Sequence, residues 1–137
     1  MAQTPVLLVE DHPDGREALT MLLRVEGFEV IGVDDGEAAL AALRIGPKPC
    51  AIILDLIMPR MNGRQFLDAI ATVAEWSRIP VIVLSGTHLG IERVAAELGI
   101  SPDHCLLKPT DPQELSRLVA QYCRRRIPTP TPGSAGV

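Results

Sequence analysis

Cys50-Ala51-Ile52-Ile53-Leu54-Asp55 is an apolar run closed by a carboxylate, followed by Leu56-Ile57-Met58-Pro59-Arg60-Met61-Asn62-Gly63. The run has the length and β-branched content of a strand buried on both faces. Pro59, Asn62 and Gly63 are turn residues that stop it. Asp55 therefore stands at the rim of a sheet, where open α/β folds bind their ligands. Taken alone, such an aspartate reads first as the cap of a loop or helix, as most do. Its role depends on what the rest of the chain brings to the same rim.

Working outward, the same strand-and-break pattern repeats. Val6-Leu7-Leu8-Val9 leads into Glu10-Asp11, and Phe28 to Val33 reads as a second strand. Pro80 to Leu84 forms a fourth, closed by Ser85-Gly86, and Cys105-Leu106-Leu107 a fifth, ending in Lys108-Pro109. Helical spacing of apolar residues fills the intervals. A first helix from Arg16 turns Leu19, Leu22, Leu23 and Val25 inward and ends at Gly27. A second opens at Asp34, with Glu37 three residues on, as a capping box. A third runs from about Gly63 to Trp76, and a fourth from His88 to Leu98. The last opens with Asp111 as N-cap and Pro112 at the first helical position. It carries Leu115, Leu118, Val119 and Tyr122 inward, and Arg124 to Arg126 suit its C-terminal dipole. Five strand–helix units in strict alternation predict an α/β fold with a parallel sheet covered on both faces.

Composition narrows the function. The chain has 137 residues, one domain's worth, with 47% hydrophobic and 22% charged residues. A net charge of −4 argues against nucleic acid or an anionic membrane as a partner. No apolar run is long enough to span a bilayer, and the N-terminus lacks a secretory pattern. Cys50, Cys105 and Cys123 show no metal-ligand spacing and read as reduced thiols, as in a cytoplasmic protein. The Pro-rich segment 127–137 reads as an extended tail or a shortened linker.

In a parallel sheet all strand C-termini share one edge. Glu10, Asp11, Asp55, Ser85 and Lys108 all fall there, from four different strands. Clustered carboxylates repel one another unless a cation is present. Glu10, Asp11 and Asp55 call for a hard divalent ion, and Mg2+ fits because it needs few carboxylates and leaves room for phosphoryl oxygens. A carboxylate can attack phosphorus to give an aspartyl-phosphate, with Lys108 and Ser85 suited to the phosphoryl oxygens. Neither GxxxxGK[ST] nor GxGxxG occurs, so nucleotide binding has no support. The three histidines make no metal spacing, and Met21, Met58 and Met61 read as packing residues.

These stretches — Val6 to Asp11, Asp55 to Gly63, Val81 to Gly86, and Leu107-Lys108-Pro109 — resemble the receiver domain of two-component response regulators, over residues 1–126. The resemblance implies a flavodoxin-like fold with strand order 2-1-3-4-5. It implies that Asp55 accepts a phosphoryl group from a histidine kinase or histidine phosphotransfer protein. It further implies that Asp11, Asp55 and the Ile57 backbone carbonyl ligate Mg2+ while Glu10 holds metal-bound water. Ser85 and Lys108 would contact the phosphoryl oxygens, and the Lys108–Pro109 peptide would be cis.

The chain departs from the pattern at Cys105, where receivers carry a switch aromatic, at Thr110 after Lys-Pro, and at Glu10 in place of the commoner aspartate. A receiver that is never phosphorylated, acting as a constitutive interaction module, is the alternative. A phosphatase is disfavoured because Ile57 stands where a general acid is needed, and the same residue implies slow self-dephosphorylation. Only eleven residues follow Arg126, so the expectation is a receiver with no output domain of its own, either a single-domain regulator or one excised from a longer chain, and not an enzyme. It would act on a downstream protein target as a monomer or weak homodimer.

Overall fold

The computed structural model describes residues 4–55, 63–86 and 90–125. Five strands form one sheet: β1 (Val6–Val9), β2 (Val30–Val33), β3 (Ala51–Asp55), β4 (Val81–Ser85) and β5 (Cys105–Leu107). Every pairing is parallel and the order is β2-β1-β3-β4-β5, as expected. The helices are α1 (Pro13–Val25), α2 (Gly36–Ile45), α3 (Gly63–Ala71), α4 (Ala74–Ser77), α5 (Ile91–Leu98) and α6 (Pro112–Ala120). A 3-10 turn over Pro102–His104 leads into β5.

Side chains alternate along each strand, so the sheet sorts its residues into two cores. Leu7, Val9, Ile52, Leu54, Val83 and Cys105 pack with Ala39 and Leu43 of α2, Phe66 and Ile70 of α3, and Ala95 of α5. Val6, Leu8, Ile53, Ile82, Leu84 and Leu106 pack with Leu23 of α1 and Leu115, Leu118 and Val119 of α6. Coverage of both faces explains why β3 and β4 are apolar up to their last residues, Asp55 and Ser85, rather than alternating.

Several sequence expectations are corrected. Helix α1 starts three residues earlier than Arg16: His12 is its N-cap, Pro13 follows, and His12 Nδ1 accepts from Gly15 N–H at 3.3 Å. Val25 and Met21 lie on the outer side of α1 and are exposed. The cap of α2 is Asp35, not Asp34. Its backbone is extended and its carboxylate accepts from Ala38 N–H at 2.7 Å. With Asp35 as cap, the third helical position is Ala38, so no glutamate completes a capping box. The third helix breaks after Ala71, because Thr72 Oγ1 donates back to the Ala69 carbonyl at 2.7 Å and Val73 turns extended. Tyr122 faces outward and its hydroxyl meets His104 Nε2 at 2.6 Å. Arg125 does not serve the end of α6: it donates to Ser116 Oγ at 3.0 Å and lies over the Phe28 ring. The Asp111–Pro112 start of α6 is as expected, with Asp111 accepting from Gln113 N–H at 3.0 Å.

The largest correction concerns the cysteines. Cys50 and Cys123 form a disulfide across 73 positions of sequence, and only Cys105 is a free thiol. The bond ties the residue before β3 to the segment after α6, at the sheet end opposite the acidic residues. It removes two of the three thiols on which the cytoplasmic reading rested. Among the described residues no helix is long and apolar enough to cross a membrane. Segment 127–137 lies outside the described residues.

Candidate functional site

The sheet register assembles the site. Val9 pairs with Leu54, so Glu10 and Asp55 stand one step further along adjacent strands. Leu84 pairs with Asp55 and Ser85 pairs with Leu107, which carries Ser85 and Lys108 to the same edge. Glu10, Asp11 and Asp55 each present a carboxylate oxygen within 4.8 Å of the others. Glu10 and Asp55 are buried, at 3% and 7% exposure, while Asp11 is half-buried.

Lys108 bridges the deep pair. Its Nζ lies 3.3 Å from Glu10 Oε2 and 3.2 Å from Asp55 Oδ1. Burial on its own would lower the Lys108 pKa, but the Asp55 and Glu10 charges, with the hydrogen bonds to both, outweigh it and hold the ammonium above its ordinary value. The lysine main chain is fixed too: its N–H donates to the Ser85 carbonyl at 2.8 Å, and the peptide to Pro109 is cis. Ser85 is itself buried.

Glu10 and Asp11, Asp55, Ser85 and Lys108 thus all reach one edge. Ile57 lies outside the described residues, as do Met58, Met61 and Thr87. Cys105 does not border the site. It points into the core beside Val83 and Ala95, and burial pushes its thiol pKa up. His12 stands at the rim as a helix cap, and its own N–H donates to Glu10 Oε1 at 3.3 Å.

Sequence reasoning missed Arg16, whose Nη1 donates to the Glu10 carbonyl at 2.9 Å. The available signal was Pro13, a residue favoured at the first helical position. Starting α1 there puts Arg16 one turn in, facing the end of β1.

As a donor set the cluster suits a hard divalent cation. It offers carboxylate oxygens only, two of them buried, with Lys108 partly offsetting their mutual repulsion.

The chain matches the sequence model of the response regulator receiver domain over residues 6–120. It is 33% identical to the rice two-component response regulator ORR5 (Oryza sativa), covering 87% of this chain and 88% of that protein. It is 34% identical to the DNA-binding response regulator MtrA of Mycolicibacterium smegmatis, where it spans 91% of this chain but only 53% of the relative's length. Among solved structures it resembles the receiver domain of the sensor histidine kinase PA1611 from Pseudomonas aeruginosa, a structure with magnesium coordinated in its active-site cleft. That likeness has a TM-score of 0.76 and 28% identity, over 88% of this chain and 98% of that one. With the fold, the strand order and the acidic edge in agreement, the chain belongs to the response regulator receiver domain family.

Proposed function

We propose that Asp55 accepts a phosphoryl group from a phosphohistidine on a histidine kinase or histidine phosphotransfer protein. A carboxylate oxygen of Asp55 forms the new P–O bond as the P–N bond breaks, and the released imidazole takes up a proton from solvent. The observation that carries this reading is Lys108 Nζ, 3.2 Å from Asp55 and 3.3 Å from Glu10, above three carboxylates within 4.8 Å of one another. A carboxylate nucleophile needs its own charge and that of the incoming phosphoryl oxygens offset. Lys108 supplies one positive charge on the correct side.

Mg2+ held by Asp11 and Asp55, with Glu10 alongside, would supply the remaining positive charge. Asp55 orients for attack because β3 holds its backbone rigidly. Ser85, buried at the end of β4, is placed to donate to a phosphoryl oxygen. Contacts from Ser85 and Lys108 made only in the phosphorylated state would shift the protein between two conformations and change its affinity for a downstream protein. Ile57, two residues after Asp55, carries no polar group to orient an attacking water, so the protein would act as a slowly reset switch rather than as an enzyme. A histidine kinase or phosphotransfer partner would put the working protein in the cytoplasm, a compartment whose reducing poise works against the Cys50–Cys123 bond.

Incubation with acetyl phosphate and Mg2+, followed by Phos-tag electrophoresis, tests the assignment. One retarded band is expected, absent in Asp55→Ala. Equal labelling of the D55A protein would remove Asp55 from the role. Absence of labelling in the unmodified protein would leave the constitutive interaction module as the better account.

A further inference from the structure

Glu10 is held at four points. Its N–H donates to the Val33 carbonyl at 3.0 Å. Oε1 accepts from His12 N–H at 3.3 Å and Oε2 from Lys108 Nζ at 3.3 Å. The fourth point is the main-chain carbonyl, which accepts from Arg16 Nη1 at 2.9 Å. The peptide that carries this carbonyl is planar and ends at the Asp11 Cα. Whatever grips the Glu10 oxygen therefore also sets the direction in which Asp11 leaves the strand.

The stem of Arg16 is seated closely over a glycine in the neighbouring strand. A Cβ on Gly32 of β2 would lie 3.4 Å from both Cγ and Cδ of Arg16 and 3.6 Å from Thr20 Oγ1. Glycine weakens a strand interior, and one common reason for its presence is the close approach of another group. Here the aliphatic stem of Arg16 crosses β2 where that strand has no side chain, and the guanidinium arrives at the end of β1.

We propose that Arg16, seated across Gly32, is a positioning residue for the acidic site, holding the Glu10–Asp11 peptide so that both carboxylates face a divalent cation together with Asp55. The inference rests on the reading of this cluster as a cation site. Three carboxylates within 4.8 Å repel one another before a cation enters. Asp55 is embedded in β3 and Glu10 is buried, but Asp11 lies beyond the last residue of β1, is only half-buried, and is the carboxylate best able to swing outward. A charge-assisted hydrogen bond to the joining peptide opposes that swing.

Isothermal titration of the full chain with Mg2+ alone tests this, with Arg16→Met, Arg16→Lys and Gly32→Val beside the unmodified protein. Charge and position predict opposite signs. Deleting a cation near carboxylates would by itself tighten Mg2+ binding, whereas losing the positioning contact weakens it. R16M is expected to weaken Mg2+ about ten-fold, the scale typical for groups that orient metal ligands. G32V keeps the arginine charge but displaces its stem, and is expected to weaken binding in the same direction. R16K recovers part of the loss. Acetyl phosphate labelling of R16M returns to the unmodified rate at saturating Mg2+. Unchanged or tighter Mg2+ binding in both R16M and G32V would overturn the positioning role while leaving the cation site intact. No Mg2+ binding by the unmodified protein would overturn the cation site itself, and the inference with it.

Discussion

At the scale of single residues, Lys108 is the group whose ionisation matters most. Its pKa is raised in the fold, so its contribution to stability is complete below the unfolded value of about 10.4 and is lost only as pH climbs through the higher folded value. Its charge is therefore constant across the neutral range. NMR titration of the Lys108 side chain is expected to place its midpoint above that of an exposed lysine. Lys108→Met is expected to slow acetyl phosphate labelling by about 100-fold or more, the scale for removing one preorganised charge from a transferring group. Stopped or timed Phos-tag assays at fixed Mg2+ measure it. Cys105 makes the opposite case. Burial disfavours its thiolate, the reactive species. Without reductant, a thiol-specific reagent is expected to find nothing in the native protein within minutes, and one thiol per chain in denaturant. Three thiols per chain in denaturant would show the disulfide absent.

The elements show which kinds of order a sequence makes legible. β1, β3 and β4 were readable because coverage on both faces demands near-continuous apolar runs, and a parallel sheet then delivers Glu10, Asp11, Asp55, Ser85 and Lys108 to one edge without further information. Local competition was harder to read. Asp34 and Asp35 are chemically identical, and only the extended backbone of Asp35 makes it the cap of α2. Asp35→Ala is expected to cost about 1 kcal/mol or somewhat more, since the carboxylate is buried, while Asp34→Ala at an exposed position is expected to be near neutral. Urea denaturation of the two variants separates them. The break after α3 was hidden for a similar reason. The apolar spacing continues through Val73, but the Thr72 hydroxyl takes a backbone carbonyl and the turn ends there. Arg16 was missed because α1 was begun three residues late, and because its reach to the Glu10 carbonyl passes over Gly32 of the adjacent β2, a contact that the apolar spacing of α1 does not show.

Across the whole molecule, the Cys50–Cys123 bond is the feature least accessible to sequence reasoning. Nothing in a separation of 73 residues suggests a pair. A signal existed in the topology: a residue entering a strand and a residue leaving a helix both stand at the base of the sheet, so the fold can bring them together. Closing a loop of that length restricts the unfolded chain and is expected to stabilise the fold by about 4 kcal/mol. Chemical denaturation with and without a dithiol reductant should show that difference. A Cys50→Ser variant should match the reduced protein and lose its response to the reductant.

The same bond divides the molecule covalently. Residues 50 to 123 form a closed ring containing Asp55, Ser85 and Lys108, while Glu10 and Asp11 lie on the open segment before it. Drawn out by its two ends, the oxidised chain would yield β1, α1, β2 and α2 but keep the ring's contour hidden from the pulling force. Cutting the bond would add roughly 250 Å of extension, at about 3.4 Å for each of the 73 released residues. Mechanically, the acidic pair and Asp55 belong to different bodies, and the carboxylate cluster exists only while sheet pairing between β1 and β3 holds them together.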